Sequence, residues 1–86
     1  MHILISNLSV NVINDDLIQL FSVYGEVSFS AVVRDRKTGR SKGRAFIEMP
    51  YEAQGEQAIS ALNGTKLDDK EITVQKIEGK AGEFNN

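Results

Sequence analysis

The most constraining feature of the sequence is an alternating octamer, KGRAFIEM, at residues 42–49, which Pro50 ends. Side chains on a strand point alternately to opposite faces, so one face of this segment is small and apolar and suits a core. The other face carries two cations, a ring and an acid: Lys42, Arg44, Phe46 and Glu48. An exposed ring between cations offers a stacking surface for an unpaired base and charge for the neighbouring phosphates. The alternative is a half-buried strand whose polar face is solvated and binds nothing.

Length and composition limit the classes of protein to consider. With 86 residues the chain has room for one domain, and with no cysteine it has no disulfide, thiol nucleophile or cysteine-based zinc site. Its apolar runs are much shorter than a membrane span. The first apolar segment reaches Asn7 too early for a signal peptide. We therefore expect a cytoplasmic protein that does not associate with membranes.

The charge of the chain is unevenly distributed. The net charge is −2 and the pI is about 5.3, which by itself argues against a polyanionic ligand. However, six of the ten cations lie within residues 34–44, opposed there only by Asp35: Arg34, Arg36, Lys37, Arg40, Lys42 and Arg44. Such segregation produces a local positive field that can attract an anion despite the negative total.

Periodicity and turn signals predict the order of elements along the chain. Strands are predicted at residues 2–6, 27–33, 42–49 and 72–75, and helices from Asn14, as N-cap, to Gly25 and over residues 51–63. A basic segment at 34–42 and a short hairpin or loop at 66–71 connect strands. Gly55 lies inside the second helix at a cost of up to about 1 kcal/mol, which predicts a close approach of helix to sheet. We expect one domain at 1–78 and a flexible tail at 79–86.

One ambiguity remains in the second strand. Alternation places Val27, Phe29, Ala31 and Val33 on a single face. It does not decide whether that face is core or surface, because a bulge would change the side to which these residues point.

The order β-α-β-β-α-β is the split βαβ arrangement, and the chain resembles the RNA recognition motif (RRM) family. The octamer of that family matches this sequence at five positions: Lys42, Gly43, Ala45, Phe46 and Ile47. The family's hexamer matches residues 3–8 except at its second position. Asp35, Thr38-Gly39, Ser41 and Asn63-Gly64 also stand where RRM sequences commonly carry them. The resemblance covers about residues 2–77, and the short chain looks like the small single-RRM proteins of bacteria. It implies an α+β, ferredoxin-like RRM sandwich, with a four-stranded antiparallel sheet and two helices packed on one face.

The sequence departs from the family at the base-stacking positions. Three aromatic positions of the family platform are occupied here by Leu4, Arg44 and Phe46, so one ring of three is retained. Because stacking is worth about 1–3 kcal/mol per base, two lost rings cost on the order of 2–6 kcal/mol. Arg44 can recover part of this loss, because a guanidinium stacks on bases and pairs with phosphates. The resemblance also implies that Phe29 lies on the exposed side of the second strand.

These observations lead first to the hypothesis of a single-stranded RNA-binding protein with weak, low-specificity binding. One base would stack on Phe46, and Lys42 and Arg44 would contact phosphates or a neighbouring base. Arg34, Arg36, Lys37 and Arg40 would supply the salt-dependent part of binding. The remaining predicted RNA-binding residues are Leu4, Ser6, Asn7, Phe29, Thr73, Gln75 and Lys76. Single-stranded DNA stays an alternative ligand, because stacking tolerates both sugars.

A second hypothesis is a protein–protein interaction module on an RRM fold, with Leu4, Phe29 and Phe46 as its apolar patch. The acidic total charge and the reduced stacking platform favour it. We expect no enzyme, cofactor or metal site: the one histidine is His2, near the terminus, and residues 39–43 lack the spacing of a phosphate-binding loop. Asp68-Asp69 is predicted to be a turn rather than half of a metal site. A monomer is favoured over a homodimer.

Overall fold

A computed structural model of the chain describes residues 1–78. The strands and helices follow in the order β1 (His2–Ser6), α1 (Asn14–Ser22), β2 (Phe29–Arg34), β3 (Ser41–Glu48), α2 (Glu52–Leu62), β4 (Lys66–Leu67), β5 (Lys70–Glu71) and β6 (Thr73–Ile77). The predicted order is confirmed, and the segment 66–71 is a two-stranded hairpin. The predicted flexible tail at 79–86 lies outside the described residues.

Four strands form one antiparallel sheet in the order β2-β3-β1-β6. The register places Leu4 of β1 opposite Phe46 of β3 on one side and opposite Gln75 of β6 on the other. Phe46 in turn lies opposite Ala31 of β2. Because residues directly opposite one another share a face, these four side chains form a row across the sheet.

Both helices pack on the other face, where the core lies. The sheet contributes Ile3, Ile5, Ala45, Ile47 and Val74 to the core cluster, α1 contributes Leu17 and Phe21, and α2 contributes Ala58 and Leu62. The face turned away from the helices is called the outer face. The register places on it His2, Leu4 and Ser6 of β1, Phe29 and Ala31 of β2, Phe46 and Glu48 of β3, and Thr73 and Gln75 of β6. Alternation along β3 adds Lys42 and Arg44. The fold is therefore the predicted α+β sandwich with one open sheet face.

The start of α1 differs from its prediction. The N-cap is Ile13, whose backbone N–H donates to Asp16 Oδ2 at 3.0 Å. Asn14 is the first helical residue, and its Oδ1 accepts from the backbone N–H of Val32 at 2.9 Å. The predicted capping role of Asn14 is wrong because its side chain instead joins the helix to β2.

The start of β2 resolves the ambiguity left by alternation. Val27 packs against the core, whereas the strand begins at Phe29, which lies opposite Glu48 on the outer face. The alternating pattern therefore breaks between Val27 and Phe29. At the other end of β2 the register shifts between Val32 and Arg34.

The predicted close approach at Gly55 is confirmed. Gly55 is buried in α2, and the thioether of Met1 occupies the space that a Cβ would need. Met1 directly precedes β1, so the glycine lets the helix lie close to the end of the sheet. Within residues 1–78, neither helix has the length and apolarity needed to cross a membrane.

Candidate nucleic-acid interface

Phe46 lies on the outer face as predicted, but it does not stand in open solvent. It is 5% exposed, so the prediction of a freely accessible ring at this position is wrong. Its neighbours across the sheet are Leu4 of β1 on one side and Ala31 of β2 on the other. In this conformation Phe46 forms the apolar floor of the outer face and does not present a full ring surface to a base.

Phe29 is the accessible ring of the outer face. It begins β2, which is an edge strand, and 45% of its surface is exposed. An edge strand has a neighbour on one side only, so a ring there is covered less than a ring on an interior strand. The exposure of Phe29, which alternation left open, is thereby established.

Glu48 and His2 were missing from the predicted site, and the structure places both beside Phe29. Glu48 is the direct partner of Phe29 across β2 and β3 and of His2 across β1 and β3. Its Oε1 is 3.1 Å from Ser28 Oγ, and its Oε2 is 3.6 Å from His2 Nε2. The alternation of the octamer, which assigns Glu48 to the same face as Phe46, was the available signal.

Two cations continue along the outer face of β3 from Phe46 towards the basic loop. Arg44 is half-buried and Lys42 is exposed. Gly43 between them has φ +75, and its carbonyl accepts from the backbone N–H of Leu8 at 2.9 Å. This bond ties the segment after β1 to β3 beside these two cations.

The basic loop, residues 34–40, is organised by Asp35. Its Oδ1 accepts from the backbone N–H groups of Lys37 and Thr38 at 2.8 and 2.9 Å. These two bonds hold the pKa of Asp35 below its ordinary value, and the bond from Thr38 has the larger effect. The backbone also closes on itself, because the Asp35 N–H donates to Arg40 O at 2.8 Å. The loop is therefore held in one shape by its acid.

The cations of the basic loop project from this turn. Arg34 donates from Nη1 to Gly39 O at 3.1 Å, so part of its guanidinium supports the loop. Arg36, Lys37 and Arg40 are exposed. Among the residues that the structure describes, no carboxylate lies within ion-pairing distance of these three side chains. They are available to phosphates.

The last strand divides its predicted contacts between two faces. Thr73 and Gln75 are exposed on the outer face. Lys76 lies on the helix-covered side, where Nζ donates to Glu52 Oε2 of α2 at 3.1 Å. This hydrogen bond raises the pKa of Lys76. Its predicted place beside the other RNA-binding residues is wrong because it follows buried Val74 by two positions and so shares its face.

The end of β1 contributes two polar side chains, and one of them already makes a hydrogen bond within the protein. Ser6 is half-buried on the outer face, opposite Thr73. Asn7, with φ 61, donates from Nδ2 to Glu71 O at 2.8 Å. The amide nitrogen of Asn7 thus joins β1 to the segment before β6, and its Oδ1 is the atom left to accept a hydrogen bond from a base.

The pair Asp68-Asp69 forms the predicted turn. Both residues have positive φ, 53 and 65, and connect β4 to β5. Asp adopts this conformation more readily than most residues. Within the described residues 1–78, no group of three or more His, Asp or Glu side chains is arranged to hold a metal ion.

Residues 3–73 match the model of the RNA recognition motif. The chain belongs to the RRM family. Among solved structures, this RRM is similar to the RNA-binding protein PG1, with a TM-score of 0.91, 34% identity, and coverage of 93% of this chain and 96% of that one. It is also similar to the Sex-lethal protein in a complex with RNA, with a TM-score of 0.87, 28% identity, and coverage of 93% and 48%.

Related sequences include bacterial and eukaryotic proteins. The putative RNA-binding protein RbpE of a Nostoc strain is 41% identical over 76 residues, which are 88% of this RRM and 77% of the relative. Glycine-rich RNA-binding protein 1 of Mycosarcoma maydis is 40% identical over 76 residues, and this chain spans 43% of its length. The serine/arginine-rich splicing factor SC35 of Arabidopsis thaliana is 40% identical over 73 residues, and this chain spans 24% of its length.

Proposed function

We propose that this RRM binds single-stranded RNA on the outer face of its sheet. The observation that carries the proposal is the grouping of an exposed ring, Phe29, with Arg44, Lys42 and the basic loop on the open side of a sheet whose other side is closed by helices. Several relatives carry the name of RNA-binding proteins, and one structural neighbour was solved as a complex with RNA. The family and the geometry support the same ligand.

Base stacking in this proposal shifts from Phe46 to Phe29. A base on Phe29 covers a ring that is 45% exposed, whereas Phe46, beside Leu4 and Ala31, is 5% exposed. Arg44 lies next to Phe46 on the same strand face and provides a planar cation for a second base or for a phosphate. One accessible ring supplies about 1–3 kcal/mol, so we expect weak binding.

Hydrogen bonds to base edges come from the same outer face, at the β6 edge of the sheet. Thr73 and Gln75 are exposed there, and Ser6 lies beside Thr73. Few such groups face the ligand, and phosphate contacts carry no sequence information, so the proposed binding has low overall sequence specificity.

The basic loop supplies the electrostatic term. Arg36, Lys37 and Arg40 are exposed on a turn that Asp35 holds in place. A preformed turn loses little conformational freedom when it meets a phosphate. Counterion release then makes affinity fall with rising salt concentration.

An NMR titration with short degenerate single-stranded RNA tests this proposal. The expected shifts fall on amides of the outer face, including Leu4, Phe29, Arg44 and Gln75, while amides of α1 and α2 stay in place. Shifts confined to the helices, or no shifts at millimolar RNA, would refute it. A parallel titration with DNA of the same sequence measures how far stacking alone accounts for binding, because stacking tolerates both sugars.

The proposal further describes a cytoplasmic, monomeric, non-catalytic protein. RNA binding of this kind requires no reaction step, and each part of the outer face comes from a single chain. Light scattering at rising protein concentration checks the monomer: a constant mass of 9.5 kDa is expected, and a rise towards twice that mass would contradict it.

A protein–protein interaction module is the second candidate, favoured by a specific observation on α1. Ile18 on this helix and Ile13 and Val23 at its two ends are 41%, 48% and 79% exposed, away from the outer face. A contiguous exposed apolar patch marks a contact surface, so this candidate requires the three side chains to form one patch. NMR line widths that grow with protein concentration, together with outer-face amide shifts that do not change when RNA is added, would favour this candidate over RNA binding.

A further inference from the structure

We infer that Glu48 selects the base that stacks on Phe29, favouring guanine over uracil; this inference rests on the proposed function and assigns its base preference. The two residues are directly opposite each other on β3 and β2. Side chains in such cross-strand pairs have Cβ atoms about 4.5–5.5 Å apart. A base lying on the ring of Phe29 therefore brings its edge within reach of the carboxylate.

The carboxylate is accessible and already oriented. The Glu48 side chain is 39% exposed. Ser28 Oγ is 3.1 Å from Oε1, and the Ser28 backbone N–H donates to Glu48 O at 2.9 Å, which fixes the serine beside it. On its other side His2 Nε2 lies 3.6 Å from Oε2. Each carboxylate oxygen has two acceptor sites, so both can still accept a hydrogen bond from a ligand.

The chemistry of the acceptor determines which base it favours. An ionised carboxylate only accepts hydrogen bonds. Guanine presents two adjacent donors, N1–H and the N2 amino group, which match two oxygens. Cytosine and adenine each present one amino group, while uracil presents a single N3–H between two carbonyl acceptors that the carboxylate repels. The expected order of preference is guanine, then cytosine and adenine, then uracil.

Because Glu48 acts through its negative charge, replacing it should change RNA affinity in a way that the loss of a packing contact would not. Glu48 repels the phosphates of any RNA on the outer face, and a base with two donors compensates for this repulsion. Lys76, which could neutralise an acid near this end of the sheet, points to the helix side and pairs with Glu52. Removing the charge of Glu48 should therefore strengthen binding to uracil-only RNA and weaken the preference for guanine.

The test compares UUUUUU with UUUGUU in fluorescence anisotropy, using the wild-type protein, Glu48→Gln and Glu56→Gln. Glu56 is an exposed acid on α2, so its replacement changes the net charge equally without touching the outer face. A good bidentate contact discriminates by roughly 5- to 150-fold. The wild type and Glu56→Gln should bind the guanine-containing oligomer about tenfold more tightly.

In Glu48→Gln that preference should fall below about threefold, and the affinity for UUUUUU should rise. Phe29→Leu should also abolish the preference, because the base is then no longer held over the carboxylate. An unchanged guanine preference in a folded Glu48→Gln protein overturns the inference and leaves RNA binding intact. Failure of the wild type to bind either oligomer overturns the inference together with the proposed function.

Discussion

The two phenylalanines of the outer face should respond to truncation in opposite ways. Phe29→Ala removes a ring that is 45% exposed, and Phe46→Ala removes one that is 5% exposed. The first substitution should mainly lower RNA affinity, and the second should mainly lower the free energy of unfolding. The contrast follows from their exposure, which differs although both rings lie on the outer face.

Burial sets the expected size of each effect. Full burial of a Phe side chain is worth about 1.5–3 kcal/mol, so truncating the half-exposed Phe29 should cost about 1 kcal/mol of stability. Truncating a buried Phe costs about 3–5 kcal/mol, a large part of the roughly 5–15 kcal/mol that stabilises a typical domain. Loss of one stacked base weakens binding by about 1–3 kcal/mol, which is roughly 5- to 150-fold in Kd.

Urea denaturation followed by circular dichroism measures the stability changes, and fluorescence anisotropy with single-stranded RNA measures the binding changes. Phe46→Leu is the matched control, because it keeps an apolar side chain in the floor of the outer face while removing the ring. It should remain folded and bind RNA nearly as well as the wild type. The reasoning is refuted if folded Phe29→Ala keeps the wild-type Kd, or if Phe46→Leu loses as much affinity as Phe29→Ala.

Three other predictions concern β3, the last strand and the basic loop. Gly43→Ala should lower the free energy of unfolding by about 1–2 kcal/mol, because φ is +75 and a Cβ would lie 3.1 Å from Leu8 O; a loss below about 0.5 kcal/mol in urea denaturation would contradict this. Lys76→Ala should leave RNA affinity unchanged, whereas Arg40→Ala should flatten its salt dependence; equal effects in anisotropy would show that Lys76 does reach the RNA. The pKa of Asp35 lies below its ordinary 3.8, so its carboxylate should stabilise the loop fully above pH 3.8. This stabilisation should be lost as the pH falls through the lowered pKa. An NMR titration of the carboxyl carbon with a midpoint at or above 3.8 would count against this prediction.

Local patterns were sufficient for much of the architecture. The segments that became β1, β3 and α2 were predicted closely, because alternation and helical spacing depend on near neighbours in the chain. The same local information could have excluded Lys76 from the interface, since it shares its face with Val74, a core residue. It could also have added Glu48, which the octamer places on the face of Phe46.

Other features depended on which strands pair. The sequence by itself determined that Phe46 and Phe29 belong to strands and that cations flank the first of them. Only the tertiary structure decided that β2 lies at an edge and β3 inside the sheet, and that Phe29 is accessible while Phe46 is buried. It also decided that Asn14 bonds to β2 rather than capping its own helix. The physical reason is that exposure is set by contacts between segments far apart in the chain, whereas periodicity reports only the side of its own strand or helix to which a residue points.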